Sequence, residues 1–189
     1  MDAYKLPTSL VIGEVVYPIN YGWQTAVEIL MDFNNPEYSH AVKVASMLRK
    51  LFPGWMTIPG EHIQEAIEKA SVFLDCGKTA EDQNRPRIMD WKQDADMIIP
   101  AVNRVAGVEV RMNPNIHWWT FFGWYMSIGD GLFSSVLRIR GKKAKGKKLE
   151  KWEEEFYREN RNIIDLHSAE TEEVRKEKEN ILKWLNGGG

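Results

Sequence analysis

The side chains of this chain that could carry chemistry are three aspartates, four histidines, one thiol and a run of lysines. Asp90, Asp94 and Asp96 lie close together. Carboxylates that converge could hold a divalent cation or a sugar nucleotide. On a helix, however, Asp90 and Asp94 share a face while Asp96 points away from it. Acidic residues at a helix start are also what the helix dipole favours, so the spacing supports a structural role. His40, His62, His117 and His167 include no pair at ligand spacing, and Cys76 is the single cysteine. A zinc site needs three or four convergent ligands. A catalytic Cys–His pair would meet only in space, but nothing around Cys76 suggests activation, and small buried cysteines are common. There is no phosphate-binding loop, dinucleotide fingerprint or Gly-x-Ser-x-Gly elbow. We therefore expect a non-enzymatic protein without metal or cofactor.

The basic run is the other candidate. Between Arg138 and Lys151, Glu150 is the single acid among many cations. Arg138, Arg140, Lys142, Lys143, Lys147 and Lys148 are candidate contacts to phosphate or nucleic acid. The competing reading is a solvated linker between helices. With a formal net charge of -2 and no accompanying recognition motif, the linker reading is preferred and nucleic acid is not expected as a partner.

The elements that must position these groups are mainly helical. The composition, 43% hydrophobic and 28% charged, suits a globular domain with an appended arm. Leu10 to Ile19 holds two short β-branched runs around Gly13-Glu14, a hairpin signal, with Pro18 confined to a strand end or edge. Helical stripes follow. Trp23, Ala26, Val27, Leu30 and Met31 stop at Asn34-Asn35-Pro36. Tyr38, Ala41, Ala45, Leu48 and Phe52 stop at Pro53-Gly54. Ile63, Ala66, Ile67, Ala70, Phe73 and Leu74 end with Gly77 as the expected C′ residue. Asp90 opens a capping-box-like start, and Pro100 should kink or split the helix behind it.

Trp118, Trp119, Phe121, Phe122, Trp124 and Tyr125 then make a helix apolar nearly all round, with Asn113 as cap and Pro114 in its first turn. It is interrupted by His117, Gly123 and Asp130 and too short for a bilayer, which needs roughly 20 apolar residues. We read it as a central core helix, with Trp118, Trp119, Phe122 and Trp124 among the most buried aromatics, and expect no membrane span. A short helix around Leu132 to Ile139 comes next.

The expected fold is therefore a mainly α, compact multi-helix domain with an N-terminal β-hairpin (residues 1–141), a basic linker (142–151) and a charged helical C-terminal arm (152–189). The arm carries thin stripes, Leu149, Trp152, Phe156 and Ile163, then Val174, Ile181, Leu182, Trp184 and Leu185 on a helix from about Ala169 to Leu185. Such narrow stripes bury little in one chain. Trp152, Phe156, Ile181 and Leu185 are accordingly candidates for contact between copies in a homo-oligomer. No leader segment is read at the start, one cysteine suits a reducing compartment, and Gly187-Gly188-Gly189 reads as a flexible end.

Four blocks together resemble a known family. They are Leu6-Pro7-Thr8-Ser9 with Tyr17-Pro18-Ile19-Asn20; Gln93-Asp94-Ala95-Asp96-Met97-Ile98; Ile116-His117-Trp118-Trp119-Thr120-Phe121-Phe122 with Leu137-Arg138-Ile139-Arg140; and the lysines leading to Tyr157-Arg158. In this order they resemble the bacteriophage "gene product fifteen" family of Gram-positive siphophages and prophages, from about Leu6 to Leu166. Such proteins are typically encoded between the major tail protein and the tape-measure protein. The resemblance implies a tail assembly chaperone that coats and solubilises the tape-measure protein in the host cytoplasm and is absent from the finished virion. A companion chaperone from the adjacent upstream gene is a further implied partner. Two other classes stay open: a structural tail or head–tail connector component, and a nucleic-acid-binding accessory protein acting through residues 138–151.

Overall fold

A computed structural model describes residues 4–77 and 86–167. Strands β1 (Ser9–Ile12) and β2 (Val15–Pro18) form one antiparallel hairpin. Helices α1 (Trp23–Asn34), α2 (His40–Leu51), α3 (Ile63–Leu74), α4 (Ala95–Ala106), α5 (Trp118–Met126), α6 (Leu132–Ala144), α7 (Lys151–Glu159) and the single turn α8 (Arg161–Ile164) follow, with three short 3-10 turns between them. The described residues thus form the expected helical domain with an N-terminal hairpin. None of their helices is long and apolar enough to cross a membrane.

The hairpin closes on Gly13-Glu14, with Ile12 opposite Val15. Gly13 has φ +59, and a Cβ there would sit 2.9 Å from the His62 ring, so both the turn and the close approach call for glycine. A lone hairpin is marginal in water. This one lays Leu10, Ile12 and Tyr17 into the core and is tied to α3, where Glu65 Oε2 accepts the Gly13 N–H at 2.7 Å and Lys69 donates to the Val11 carbonyl.

Helix edges differ from the sequence expectation where side chains or neighbouring backbone take over. At the end of α3, Cys76 rather than Gly77 is the C′ residue. Cys76 has φ +54, its N–H bonds Phe73 O, and Gly77 N–H bonds Val72 O at 2.8 Å. That is the Schellman pattern, with Gly77 one place further out. Asp90 caps an isolated turn instead of a helix: its Oδ1 accepts from Lys92 N (2.8 Å) and Gln93 N (2.7 Å), and α4 proper begins at Ala95. Pro100 does not split α4, which runs unbroken through it. The proline sits on the exposed face, where the carbonyl it strands can be hydrated.

The aromatic helix starts later than expected. Asn113 and Pro114 precede it in a turn, and His117 is the N-cap, its Nδ1 accepting the Trp119 N–H at 3.0 Å. The reason is a backbone bridge: Trp118 N–H bonds Tyr21 O at 2.8 Å, and Trp23 N–H bonds Ile116 O at 3.0 Å. This pairing holds the segment before Trp118 extended.

Trp118 and Phe121 are fully buried, whereas Trp119, Phe122 and Trp124 are half-buried. Both Trp118 and Trp119 turn their indole N–H groups onto the end of α3, donating to Leu74 O (2.9 Å) and Phe73 O (2.8 Å). The aromatic helix therefore closes carbonyls that α3 cannot satisfy internally.

Helix α6 extends past Ile139 to Ala144, so Lys142 and Lys143 are helical. Its Val136 and Ile139 join Ile164 in a second small core, against which Phe156, Tyr157 and Ile163 pack. The helix expected from Ala169 to Leu185 lies outside the described residues.

Candidate functional site: an arginine anchor and the surfaces around it

The three aspartates are drawn apart rather than together. Asp94, at the N-terminus of α4, is fully buried and meets Arg140 of α6 in a two-pronged pair, with Nη1 to Oδ2 at 2.7 Å and Nη2 to Oδ1 at 2.8 Å. The remaining Arg140 donors reach carbonyls: Nε to Ile164 (2.5 Å), Nη1 to Ile88 (3.1 Å) and Nη2 to Ile163 (2.7 Å). Every N–H of this guanidinium is therefore spent. One side chain fastens α4, α6, α8 and the segment before Trp91 together. Asp90 instead pairs with Arg87 and gives its N–H to Asp94 Oδ2. Asp96 is exposed on the opposite side, lining a shallow groove between α4 and the start of α6. The Asp94 charge is also felt by Tyr125, whose hydroxyl is pushed up to about 12 by burial first and Asp94 second.

This corrects the place of Arg140 in the candidate phosphate set: a buried guanidinium with all donors used has none for an outside anion. Its neighbours are also largely engaged. Lys142 binds Glu153 at 2.7 Å and Glu150 at 3.1 Å, and the Glu153 hydrogen bond leads in raising its pKa. Glu153 is fully buried at the head of α7. Burial pushes its carboxyl up, but the Glu150 N–H, Lys142 and Arg138 outweigh this and hold it below its usual value. Its Oε1 has no hydrogen bond among the described residues and faces Arg138 Nε at 3.5 Å.

Lys143 binds Asp165 at 2.6 Å and lies 3.6 Å over the Tyr157 ring. Burial lowers its pKa, but Asp165 and Tyr157 raise it by more. Lys147 and Lys148 stay exposed, with no ion pair among the described residues.

Among the candidate oligomer contacts, Phe156 is half-buried against the α6–α8 core. Trp152 is 43% exposed, with the Arg138 guanidinium 4.7 Å from its ring centre. Ile181 and Leu185 lie outside the described residues.

Sequence reasoning passed over Arg140 as an anchor, although a signal was present. Arg140 follows Val136 by one helical turn and adjoins Ile139, so it falls on the apolar face of its helix. His117 was missed as a cap for a different reason: the bridge that selects it joins distant parts of the chain.

The surface also exposes large apolar groups. Met56 and Met112 are 81% and 82% exposed, and Val11, Val15, Val16, Met126 and Leu132 are each about half or more exposed.

Together these features define a helical, hairpin-bearing domain that displays apolar contact surface, and among its described residues no group of three or more potential metal-binding side chains converges. The family model described as "Bacteriophage Gp15 protein" matches residues 3–166. The chain belongs to this bacteriophage family. Comparison with curated proteins and with solved structures gives no match.

Proposed function

We propose that this phage protein is a tail assembly chaperone that binds the tape-measure protein while the tail is built, without enzymatic turnover. Membership of the bacteriophage Gp15 family carries the reading, together with what the sequence resemblance implies, a gene placed beside that of the tape-measure protein. The surface is compatible with the task. A tape-measure chain is long and helical with exposed apolar stripes. Flexible thioethers such as Met56, Met112 and Met126 suit a partner surface that must adapt. Helix-in-groove docking uses such anchors, and weak contacts repeated along an oligomer can hold firmly yet release.

Self-association through the exposed Trp152 face is part of this proposal. The nucleic-acid alternative is weakened because Arg140 is buried, and Lys142 and Lys143 are paired.

The test is co-expression with the tape-measure protein of the same phage. We expect co-purification and a larger soluble fraction of the tape-measure chain. No co-purification and unchanged solubility would reject the proposal.

A further inference from the structure

Two exposed helix stripes of this chain have the same spacing and complementary chemistry. Helix α7 carries Trp152, Glu155 and Glu159 at i, i+3 and i+7, on one face. All three are exposed. Arg138 covers one side of the Trp152 ring, while Glu155 and Glu159 form no ion pair among the described residues. Helix α2 carries Val42, Ala45 and Arg49 at the same three positions, again all exposed. These line a groove of about 380 Å³, walled on its other side by Tyr38 and Trp55. Tyr38, Val42 and Trp55 are each more than a third exposed. Asp32, also in the wall, is engaged by Ser46 (2.5 Å) and Lys50 (2.7 Å), and Arg49 forms no ion pair among the described residues.

We propose that the α7 stripe of one copy docks in the α2 groove of a second copy, joining chains head to tail. Laid side by side, Trp152 meets the apolar side chains around Val42 while Glu159 meets Arg49. Seven residues separate each pair of ends, about 10 Å of helix in both. A tryptophan seated among aromatic and aliphatic groups is the kind of anchor that dominates interfaces. The carboxylate–guanidinium contact at its end fixes direction more than strength. Symmetric alternatives lack this match. Two α7 stripes would set carboxylates against one another with no cation in the stripe, and two α2 grooves would bring no anion to Arg49.

The two stripes do not meet within one chain. The groove is lined from α1, α2 and the neighbouring turns, whereas α7 packs its Phe156 and Tyr157 on the small core of Val136, Ile139 and Ile164. Different patches on the two partners make the contact heterologous, so association continues into a ring or an open chain instead of stopping at a dimer. The inference rests on the self-association proposed above and not on tape-measure binding.

The experiment is sedimentation velocity on the purified full chain. The unaltered protein should form species larger than a dimer as its concentration rises. Trp152→Ala with Glu159→Ala blocks one patch, and Val42→Glu with Arg49→Glu blocks the other. Each doubly altered chain alone should be monomeric, and an equal mixture should give a dimer and nothing larger, because one intact patch of each kind remains. Arg49→Glu alone should weaken association by about tenfold or more, and adding Glu159→Arg to the same chain should restore it. A mixture that stays monomeric together with a charge swap that restores nothing would overturn the proposal, as would either blocked chain associating like the parent. A parent that is monomeric throughout would overturn this interface and the self-association reading together, and tape-measure binding would still be judged by co-expression. Failed co-expression with a dimer in the mixture would reject the chaperone reading and leave this interface standing.

Discussion

Arg140 shows how a single side chain can change meaning between sequence and structure. In the sequence it is one cation in a basic run; in the fold it is a buried partner of Asp94 with every N–H committed. Breaking a buried pair by removing one member typically costs about 3–5 kcal/mol, because the other charge is left uncompensated. Arg140→Ala should therefore shift the urea midpoint strongly, while Lys147→Ala and Lys148→Ala should move it little. Equal effects across the three variants would disprove the anchor.

His117 makes a pH prediction. The Trp119 N–H requires Nδ1 as acceptor and the Pro7 carbonyl requires Nε2–H as donor at 2.9 Å, so the ring is held neutral. Burial, more than the opposing Pro7 contact, places its pKa below 6.5. The unfolded chain then takes up the proton first. This contribution is complete above about pH 6.5 and is lost as pH falls toward the folded value. Glu109, held at about 2 mainly by Arg111, belongs to a separate, more acidic window below its ordinary 4.5. Urea midpoints should decline between neutral pH and pH 5. His117→Asn, which keeps a capping side chain, should flatten that decline, and an unchanged slope would rule out His117 as its source.

Among the elements, α5 and α7 separate a core role from a surface role for tryptophan. Trp118 is fully buried, and its indole N–H closes the end of α3. Trp118→Ala should cost about 3–5 kcal/mol. Trp152 lies on the exposed side of α7, held by a cation–π contact with Arg138 and an exposed indole N–H bond to Glu150 Oε2 at 3.0 Å, so Trp152→Ala should cost about 1 kcal/mol or less. Calorimetry on both variants checks the contrast, and similar losses would mean that α7 is buried differently.

The helical stripes of α1, α2 and α3 and the Gly13-Glu14 turn were legible in the sequence, because periodicity and turn chemistry are local. The cap at His117, the turn at Asp90 and the C′ role of Cys76 were not. Each depends on a competition between neighbouring caps, and at His117 the Tyr21–Trp118 backbone pairing decides it. The aromatic block announced the core, but which of its rings are fully buried depends on α3 and α4 packing around it. The Arg140–Asp94 contact was readable only in halves: helical phase puts Arg140 on an apolar face, but nothing in the sequence says which carboxylate it meets.

For the whole molecule, membership of the bacteriophage Gp15 family is what the chaperone proposal starts from. Tail assembly chaperones act on the tape-measure chain and then leave, while a structural tail or connector component stays. Quantitative mass spectrometry on infected or induced cells and on purified virions of the same phage separates the two most directly. A chaperone should be abundant in the lysate, be recovered with the tape-measure protein before tails are complete, and be missing from virions. Stoichiometric recovery from purified virions, with none bound to free tape-measure protein, would contradict the chaperone function and establish a structural component instead.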